Sequence, residues 1–348
     1  MSGVLTVAFY LLVMVFVFGI LIFIHELGHF LTARACGVRI KEFAVGMGPT
    51  VFSWNSKKYD TKYGLRALPI GGFVSMEGED EASDDESAFC NKKVWQRMLI
   101  TIAGPAMNLI LGFILMMSLV LIQGPIGSTT VAEFKEGALS NAQLEVGDVI
   151  VEVDGTRVYS GNEVLYEISN KGYEPIDILV KRNGEKLLLS DVVFPTSEED
   201  GITFGTLDFK VLAEERSFGN LIKQSFTRSV STVKMVIDSL VGLVSGRFGL
   251  DAVSGPIGVA EVVGEAAKTN VDTFLYIVAI LTINLGVFNL IPFPALDGGR
   301  FLFLIIEGIR RKPINKNVEA YINFGGIIIL FAFMIFVSFK DVMKLIFK

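Results

Sequence analysis

Residues 4–29 read VLTVAFYLLVMVFVFGILIFIHELGH, an apolar run without a charge from Val4 to Ile24, closed by His25-Glu26-Leu27-Gly28-His29. A run of about 18 or more uncharged apolar residues is long enough to cross a bilayer as a helix. Only Met1, Ser2 and Gly3 precede it. A secretory signal has a basic start, a shorter apolar core and a small-residue cleavage site, so this run reads as a retained span. The pentapeptide at its end contains both histidines of the chain.

On a helix, residues four apart project from one face, so His25 and His29 can grip one zinc ion while Glu26 stays free to move a proton. Two histidines scattered in a chain of this length fall four apart on the order of 1% of the time, so chance does not explain the pair. An ionisable cluster at the end of a span is costly and marks function by default. Catalytic zinc takes three protein ligands and a water. With no third histidine, the third ligand is a carboxylate or Cys36. Asp297 is the natural carboxylate. It closes Asn289-Leu-Ile-Pro292-Phe-Pro294-Ala-Leu-Asp297-Gly298-Gly299, where prolines end a helix and glycines allow close backbone approach.

The rest of the chain supports a membrane setting. Of 348 residues, 51% are hydrophobic and 20% charged, and the mean hydropathy is +0.53, more apolar than soluble domains. Further spans are expected at about 98–122, 274–294 and 321–339, with the first at 4–31, giving four. The net charge of −6, without a Lys/Arg cluster interleaved with aromatics, excludes a generally basic nucleic-acid binder. Cys36 and Cys90 form no CxxC pair. Loops rich in lysine and arginine stay cytoplasmic. Segment 32–97 holds ten such residues and 298–320 holds five, so both are expected inside and both chain ends outside. Lys340, Lys344 and Lys348 near the C-terminus run against this orientation, outvoted by the two loops. The acidic excess falls in the stretch from about 124 to 270, expected outside.

Four segments are delimited. Residues 1–124 form an N-terminal membrane domain with two spans, a β-rich cytoplasmic or reentrant loop at 39–76 and an acidic linker at 78–87. Within the loop, Tyr63 to Met76 alternates like strands around Gly71 and Gly72. Six acids in the ten linker residues read as a solvated, mobile stretch. Residues 125–212 have the texture of a compact soluble domain: Val149 to Val153 alternates before Asp154-Gly155, and Ile176 to Arg182 pairs with Glu185 to Val193 across Asn183-Gly184. A short helix is expected at Asn162 to Ser169. In 213–272, Phe218 to Val244 has apolar residues at a 3.6-residue rhythm broken by Lys223, Arg228, Lys234 and Asp238. This predicts an amphipathic helix on the membrane or the outer domain, or an ordinary core-facing helix. Residues 273–348 form the C-terminal membrane domain. The fold class is thus an α-helical polytopic membrane protein with a membrane-associated β-hairpin and an inserted domain.

The chain resembles the site-2 protease family of intramembrane zinc metalloproteases, specifically bacterial regulators with one inserted PDZ domain. The matching features are His25-Glu26-x-x-His29, the Asn289 to Gly299 stretch, Ala103-Gly104-Pro105-x-x-Asn108, Leu68-Pro-Ile-Gly-Gly72 and Ser254-Gly-Pro-Ile-Gly258. The inserted domain resembles PDZ domains in Val131-Ala-Glu-Phe, Gly137-Ala138, Leu144-Glu-Val-Gly147-Asp148-Val-Ile150 and Val153-Asp-Gly155, departing where Gln143 replaces the usual glycine. The resemblance implies that His25, His29 and Asp297 hold zinc and that Glu26 is general base and proton shuttle. It implies that Asn289 and Pro292 lie beside an unwound substrate, and that Gly71 and Gly72 belong to a membrane-reentrant hairpin pairing with it. Gly104 and Asn108 would pack the second span against the metal-bearing helices. It further implies single-pass membrane substrates such as anti-sigma factors or signal-peptide remnants, a bacterial cytoplasmic-membrane location with the active site near the cytoplasmic side, and a PDZ-like domain that binds a peptide or chain end, filters substrates by size, or has no ligand.

Two other classes fit parts of the sequence. A zinc or cation transporter also places histidine and acids in a membrane, but such folds usually carry an internal repeat, and none is visible. A non-catalytic scaffold built on the PDZ-like domain leaves the HExxH and Leu-Asp-Gly elements without a use.

Overall fold

The first apolar run and its histidines form one continuous helix, α1 (Gly3–Ala35), which carries the metal-binding pattern past the end of the uncharged stretch. The computed structural model describes residues 3–57, 60–79, 81, 83–123, 127–199, 202–214, 217–246, 249 and 253–346. Among them, four helices are long and apolar enough to cross a membrane: Leu5–Ala35 of α1, α2 (Val94–Gln123), α6 (Val271–Leu290) and Lys316–Lys344 of α8 (Lys316–Ile346). They extend beyond the apolar runs because backbone hydrogen bonding continues through charged ends such as Lys316. Leu12, Phe16, Ile329 and Phe331 are all more than half exposed, which suits lipid and not water. The protein is a polytopic membrane protein with a β domain.

The chain divides into two compact units, 1–115 with 233–348 and 116–232. In the first, β1 (Ile40–Ser56) and β2 (Thr61–Met76) are long strands that fold back on themselves. Residues 42–45 pair with 72–75 on one side and 62–65 on the other, and 52–56 pair with 61–65, so two strands make four tiers. Gly71, at φ +84°, turns β2 into its last tier, a left-handed value that glycine adopts without steric cost. Phe43 on β1 packs against Phe23 and Phe30 of α1, with ring centroids 5.9 and 4.9 Å away. Met47, Val51, Phe52, Trp54, Leu65 and Leu68 of this sheet are exposed.

The remaining helices of this unit are α5 (Pro256–Thr269), α6, α7 (Asp297–Arg310) and α8. α5 lies against α1, where Gly264 abuts the Tyr10 ring; Tyr10 hydroxyl donates to Glu265, and Lys268 Nζ donates to Tyr10 at 2.8 Å. At its other end, Gly258 N donates to the buried Asp341 carboxylate of α8 at 2.9 Å. α7 occupies part of what the sequence reading took as a basic loop at 298–320. It is too short to span and has only one apolar face, which is why a search for spans passes over it.

The second unit is an antiparallel sheet in the order β10-β3-β4-β6-β7, built from β3 (Gly127–Phe134), β4 (Val149–Val153), β6 (Ile176–Arg182), β7 (Glu185–Val192) and β10 (Phe209–Ala213), with short β5 (Thr156–Arg157) on β4. A separate hairpin joins β8 (Thr196–Glu199) to β9 (Ile202–Gly205). The Asn183-Gly184 turn has φ of +52° and +92°, the mirror-image turn such a dipeptide favours. α3 (Gly161–Lys171) starts at Ser160, whose side chain accepts from Glu163 N, and buries Val164 and Ile168 against Ile150, Val153 and Ile178. The amphipathic α4 (Phe218–Val244) leaves Phe218, Ile222, Phe226, Val230, Ile237 and Val241 exposed while burying Gln224, Ser225 and Thr232. Val236 is buried as well, so the helix has a mixed buried face and a largely apolar exposed one.

Asp148 is fully buried and accepts from Arg182 Nε and Nη2, both at 2.7 Å, and from Glu145 N at 2.9 Å. Burial opposes its charge, yet the Arg182 hydrogen bonds and charge and the Glu145 amide outweigh burial and hold its pKa below the ordinary value. A depressed folded-state pKa gives stability that is fully present above the unfolded pKa and is lost as pH falls through the folded one. Arg182→Leu, which strands a buried carboxylate, should therefore lower the stability of this unit by about 3 kcal/mol or more at pH 7. Its unfolding should also become less acid-sensitive below about pH 4. Calorimetry of wild type and variant between pH 3 and 7 measures both.

Candidate active site

α1 and α2 cross closely, with a glycine on each making room for the other helix. A Cβ at Gly28 would collide with the Ala103 carbonyl oxygen and lie 2.8 Å from Met107 Cγ, and a Cβ at Gly104 would fall inside the His29 ring, 2.7 Å from Cε1. The helices run antiparallel, with His29 beside Ile100 and Gly104, and His25 beside Asn108. His29 Nδ1 lies 2.9 Å from Ile100 O. A carbonyl only accepts, so Nδ1 carries a proton, and in the neutral ring this leaves the lone pair on Nε2, which faces inward.

Asp297 arrives from the opposite side as the first residue of α7. Gly298 and Gly299 are pressed onto the carbonyls of Leu290, Ile291 and Phe293, where any side chain would clash. Ala295 is held at φ +74°, a left-handed value unusual for a residue with a Cβ, and its N–H donates to Asn323 of α8 at 3.2 Å. The result is a tight reverse of chain that aims the carboxylate at the histidines. His25 Nε2 and His29 Nε2 are 3.2 Å apart, and Asp297 Oδ2 lies 3.1 and 3.4 Å from them.

These residues fit a zinc ion. Tetrahedral ligand atoms at zinc's usual bond lengths stand about 3.3–3.5 Å from one another. Asp297 Oδ2 is buried without a hydrogen-bond partner, and the three facing atoms would otherwise present lone pairs, or two adjacent cationic rings, to each other. A cation among them, with both rings neutral, takes up all three lone pairs. Among the described residues this is the single group of three or more His, Cys, Asp or Glu side chains close enough to hold a metal; Cys36 is not in it.

The site opens into a cavity of about 230 Å³. Its polar wall is His25, Glu26, His29, Asp297, Glu79 and Arg300, and its apolar wall includes Phe73, Val74 and Met76 of β2. The Glu26 carboxylate is hydrogen-bonded by the Val74 backbone. Gly72 is so close that a Cβ there would lie 3.3 Å from Glu26 Cγ and 3.0 Å from Ala44 O. The structure thus brings together His25, His29, Glu26 and Asp297, with Gly72, Gly104 and Asn108 in contact range. It leaves Gly71, Asn289 and Pro292 outside the cavity wall. Gly71 faces Met47, Asn289 Nδ2 donates to Leu285 O of its own helix at 2.9 Å, and Pro292 is exposed.

Glu79 and Arg300 are residues that sequence reasoning missed. A run of acids predicts a solvated, mobile stretch, whereas Glu79 pairs with Arg300 at the cavity and accepts from Met76 N at 3.3 Å. Asp80 and Ala82 of that stretch lie outside the described residues. A carboxylate near a low-dielectric cavity takes a cation partner, and nothing in a run of six acids marks which one does so.

A helix-borne pair of imidazoles, a free glutamate and a carboxylate from a second element, all among membrane-length helices, define a membrane-embedded metallohydrolase. The model of peptidase family M50 matches residues 13–333. The regulator of sigma-W protease RasP of Bacillus subtilis is 31% identical, covering 95% of this chain and 97% of its own. The zinc metalloproteases RasP of Geobacillus kaustophilus and Shouchella clausii are also 31% identical, covering 94% and 96% of this chain and 96% and 99% of their own. The chain belongs to peptidase family M50, the site-2 proteases. It is an intramembrane zinc metalloprotease, and the transporter and scaffold readings are set aside.

Gly104→Ala should displace the His29 ring and weaken zinc retention at least tenfold. Gly325→Ala, where a Cβ meets nothing within 4 Å, should leave it unchanged. Metal content after dialysis against a graded chelator compares the two.

Proposed function

We propose that His25, His29 and Asp297 are the zinc ligands and that Glu26 is the general base that drives hydrolysis of a peptide bond within a substrate's transmembrane segment. The observation that carries this reading is the 3.1–3.4 Å triangle of ligand atoms with Glu26 one residue from the first of them and facing the same cavity. Held by His25, His29 and Asp297, zinc would supply Lewis acidity to activate water and polarise the scissile carbonyl. The Glu26 carboxylate accepts a proton from the attacking water as its oxygen bonds to the carbonyl carbon. It returns that proton to the amide nitrogen as the C–N bond breaks. The Val74 hydrogen bond fixes the carboxylate's orientation for both transfers.

A helical peptide bond is shielded by its own hydrogen bonds, so the substrate must be extended to be cut. The last tier of β2 supports this reading. Residues 72–75 pair on one side with 42–45, have no strand partner on the other among the described residues, and run past Glu26. A substrate strand added there gains backbone partners as its helix loses them. Gly71 and Gly72 shape that edge, and Asn289 and Pro292 flank the substrate at the end of α6. Substrates are single-pass membrane proteins, with anti-sigma factors supported by the sigma-W designation of the Bacillus subtilis relative, and signal-peptide remnants as a second group.

The inserted domain, 125–212, is read as PDZ-like and extracytoplasmic, with the active site near the cytoplasmic face of a bacterial inner membrane. Its edge strand β10 is available for strand addition, which suits either capture of a chain end or a size filter. The segments 1–124, 213–272 and 273–348 are the membrane domains and the amphipathic link, with the apolar face of α4 lying on lipid. An even number of spans favours both chain ends on one side.

Glu26→Gln should retain zinc and lose cleavage of a model membrane peptide by about 10³-fold, whereas His25→Ala should lose both. Retained proteolysis in purified Glu26→Gln would overturn the assignment. Deleting 128–209 should permit cleavage of a substrate that still has its large external domain; unchanged discrimination would argue against the filter.

A further inference from the structure

The two imidazoles are held differently from behind. His29 Nδ1 faces a backbone carbonyl, but His25 Nδ1 faces the amide of Asn108 on α2, whose nitrogen lies 3.2 Å away. Asn108 is completely buried, and its Oδ1 has no hydrogen-bond partner. A histidine that offers Nε2 to a metal carries its proton on Nδ1, so a donor on Asn108 would there oppose a donor on His25. The two ends of an amide have the same shape, and a half turn puts the orphaned Oδ1 opposite Nδ1–H. That one rotation supplies the ring with an acceptor and the buried oxygen with a donor.

We infer that Asn108 is a positioning residue for zinc. Its Oδ1 accepts from His25 Nδ1–H, fixing the tautomer and ring plane that present Nε2 to the metal, just as Ile100 O does for His29. The role goes beyond packing α2 against α1, because an isosteric side chain without an acceptor cannot fill it. At position 29 the acceptor is main chain and independent of side-chain identity. At position 25 it depends on one residue, so His25 is the ligand whose hold on zinc is tunable by substitution on another helix.

The inference rests on His25 being a ligand, and the test separates the two claims. Zinc dissociation constants are measured by chelator competition on the full-length, detergent-solubilised protein for wild type, His25→Ala, Asn108→Asp and Asn108→Leu. Metal-free thermal unfolding and the visible spectrum of the cobalt-substituted forms are recorded alongside. The expected result is zinc binding 10–100-fold weaker in Asn108→Leu with an altered cobalt spectrum, and near-wild-type affinity and spectrum in Asn108→Asp, which keeps the acceptor. Equal loss in Asn108→Asp and Asn108→Leu would reduce Asn108 to packing and overturn the inference, as would unchanged affinity in Asn108→Leu. Wild-type affinity in His25→Ala would instead overturn the ligand assignment beneath it. If Asn108→Leu does not fold, Asn108→Ala, which removes the acceptor without adding bulk, decides between the same outcomes.

Discussion

The site depends on two helices crossing where a glycine on each leaves room for the other. Gly28 lies against the Ala103 carbonyl, and Gly104 against the His29 ring. Lipid offers helices no hydrophobic reason to associate, so close backbone approach through small residues is what holds such a crossing. Here the approach sets more than packing. It brings Ile100 O within 2.9 Å of His29 Nδ1 and Asn108 beside His25, so α2 fixes the orientation of both rings while contributing no metal-ligating side chain. Widening the crossing by one methyl group would move the ligand atoms before it disturbed the helices.

How much of this was legible in sequence follows from the range of each interaction. The histidine pair and Glu26 share one turn of one helix, so their spacing alone declares them. The Asn183-Gly184 turn and the strands beside it are equally local. Asp297 was legible only as a candidate: two histidines leave a zinc site short of a ligand, a carboxylate or Cys36 could fill the gap, and the Pro-rich stretch before Asp297 marks where its helix breaks. The pairing of Glu79 with Arg300 spans 221 residues and leaves no local trace in a run of acids. Helix α7 was hidden for a different reason: an amphipathic helix of 14 residues gives neither the length nor the uniform apolarity that marks a span. Asn108 was visible as part of a motif, but its use could be read only once the His25 ring lay against it.

α7 also shows how a polar site is kept in register among apolar helices. Asp297, Arg300 and Glu307 fall at helical spacing on the flank of α7 that turns inward, and each meets a different partner. Asp297 faces the α1 histidines, Arg300 pairs with Glu79, and Glu307 forms a two-pronged pair with Arg97 at the start of α2, where both side chains are at most 15% exposed. Ion pairs this dry contribute little net stability, because desolvation offsets most of their attraction. Breaking one is costly all the same, since the remaining charge is left buried without a counterion. Sliding or rotating α7 would break both pairs at once and withdraw Asp297 from the histidines with them. Of the groups that make that motion costly, Glu79 and Arg300 also form part of the cavity's polar wall, so one ion pair both holds α7 in place and supplies polar surface beside Asp297.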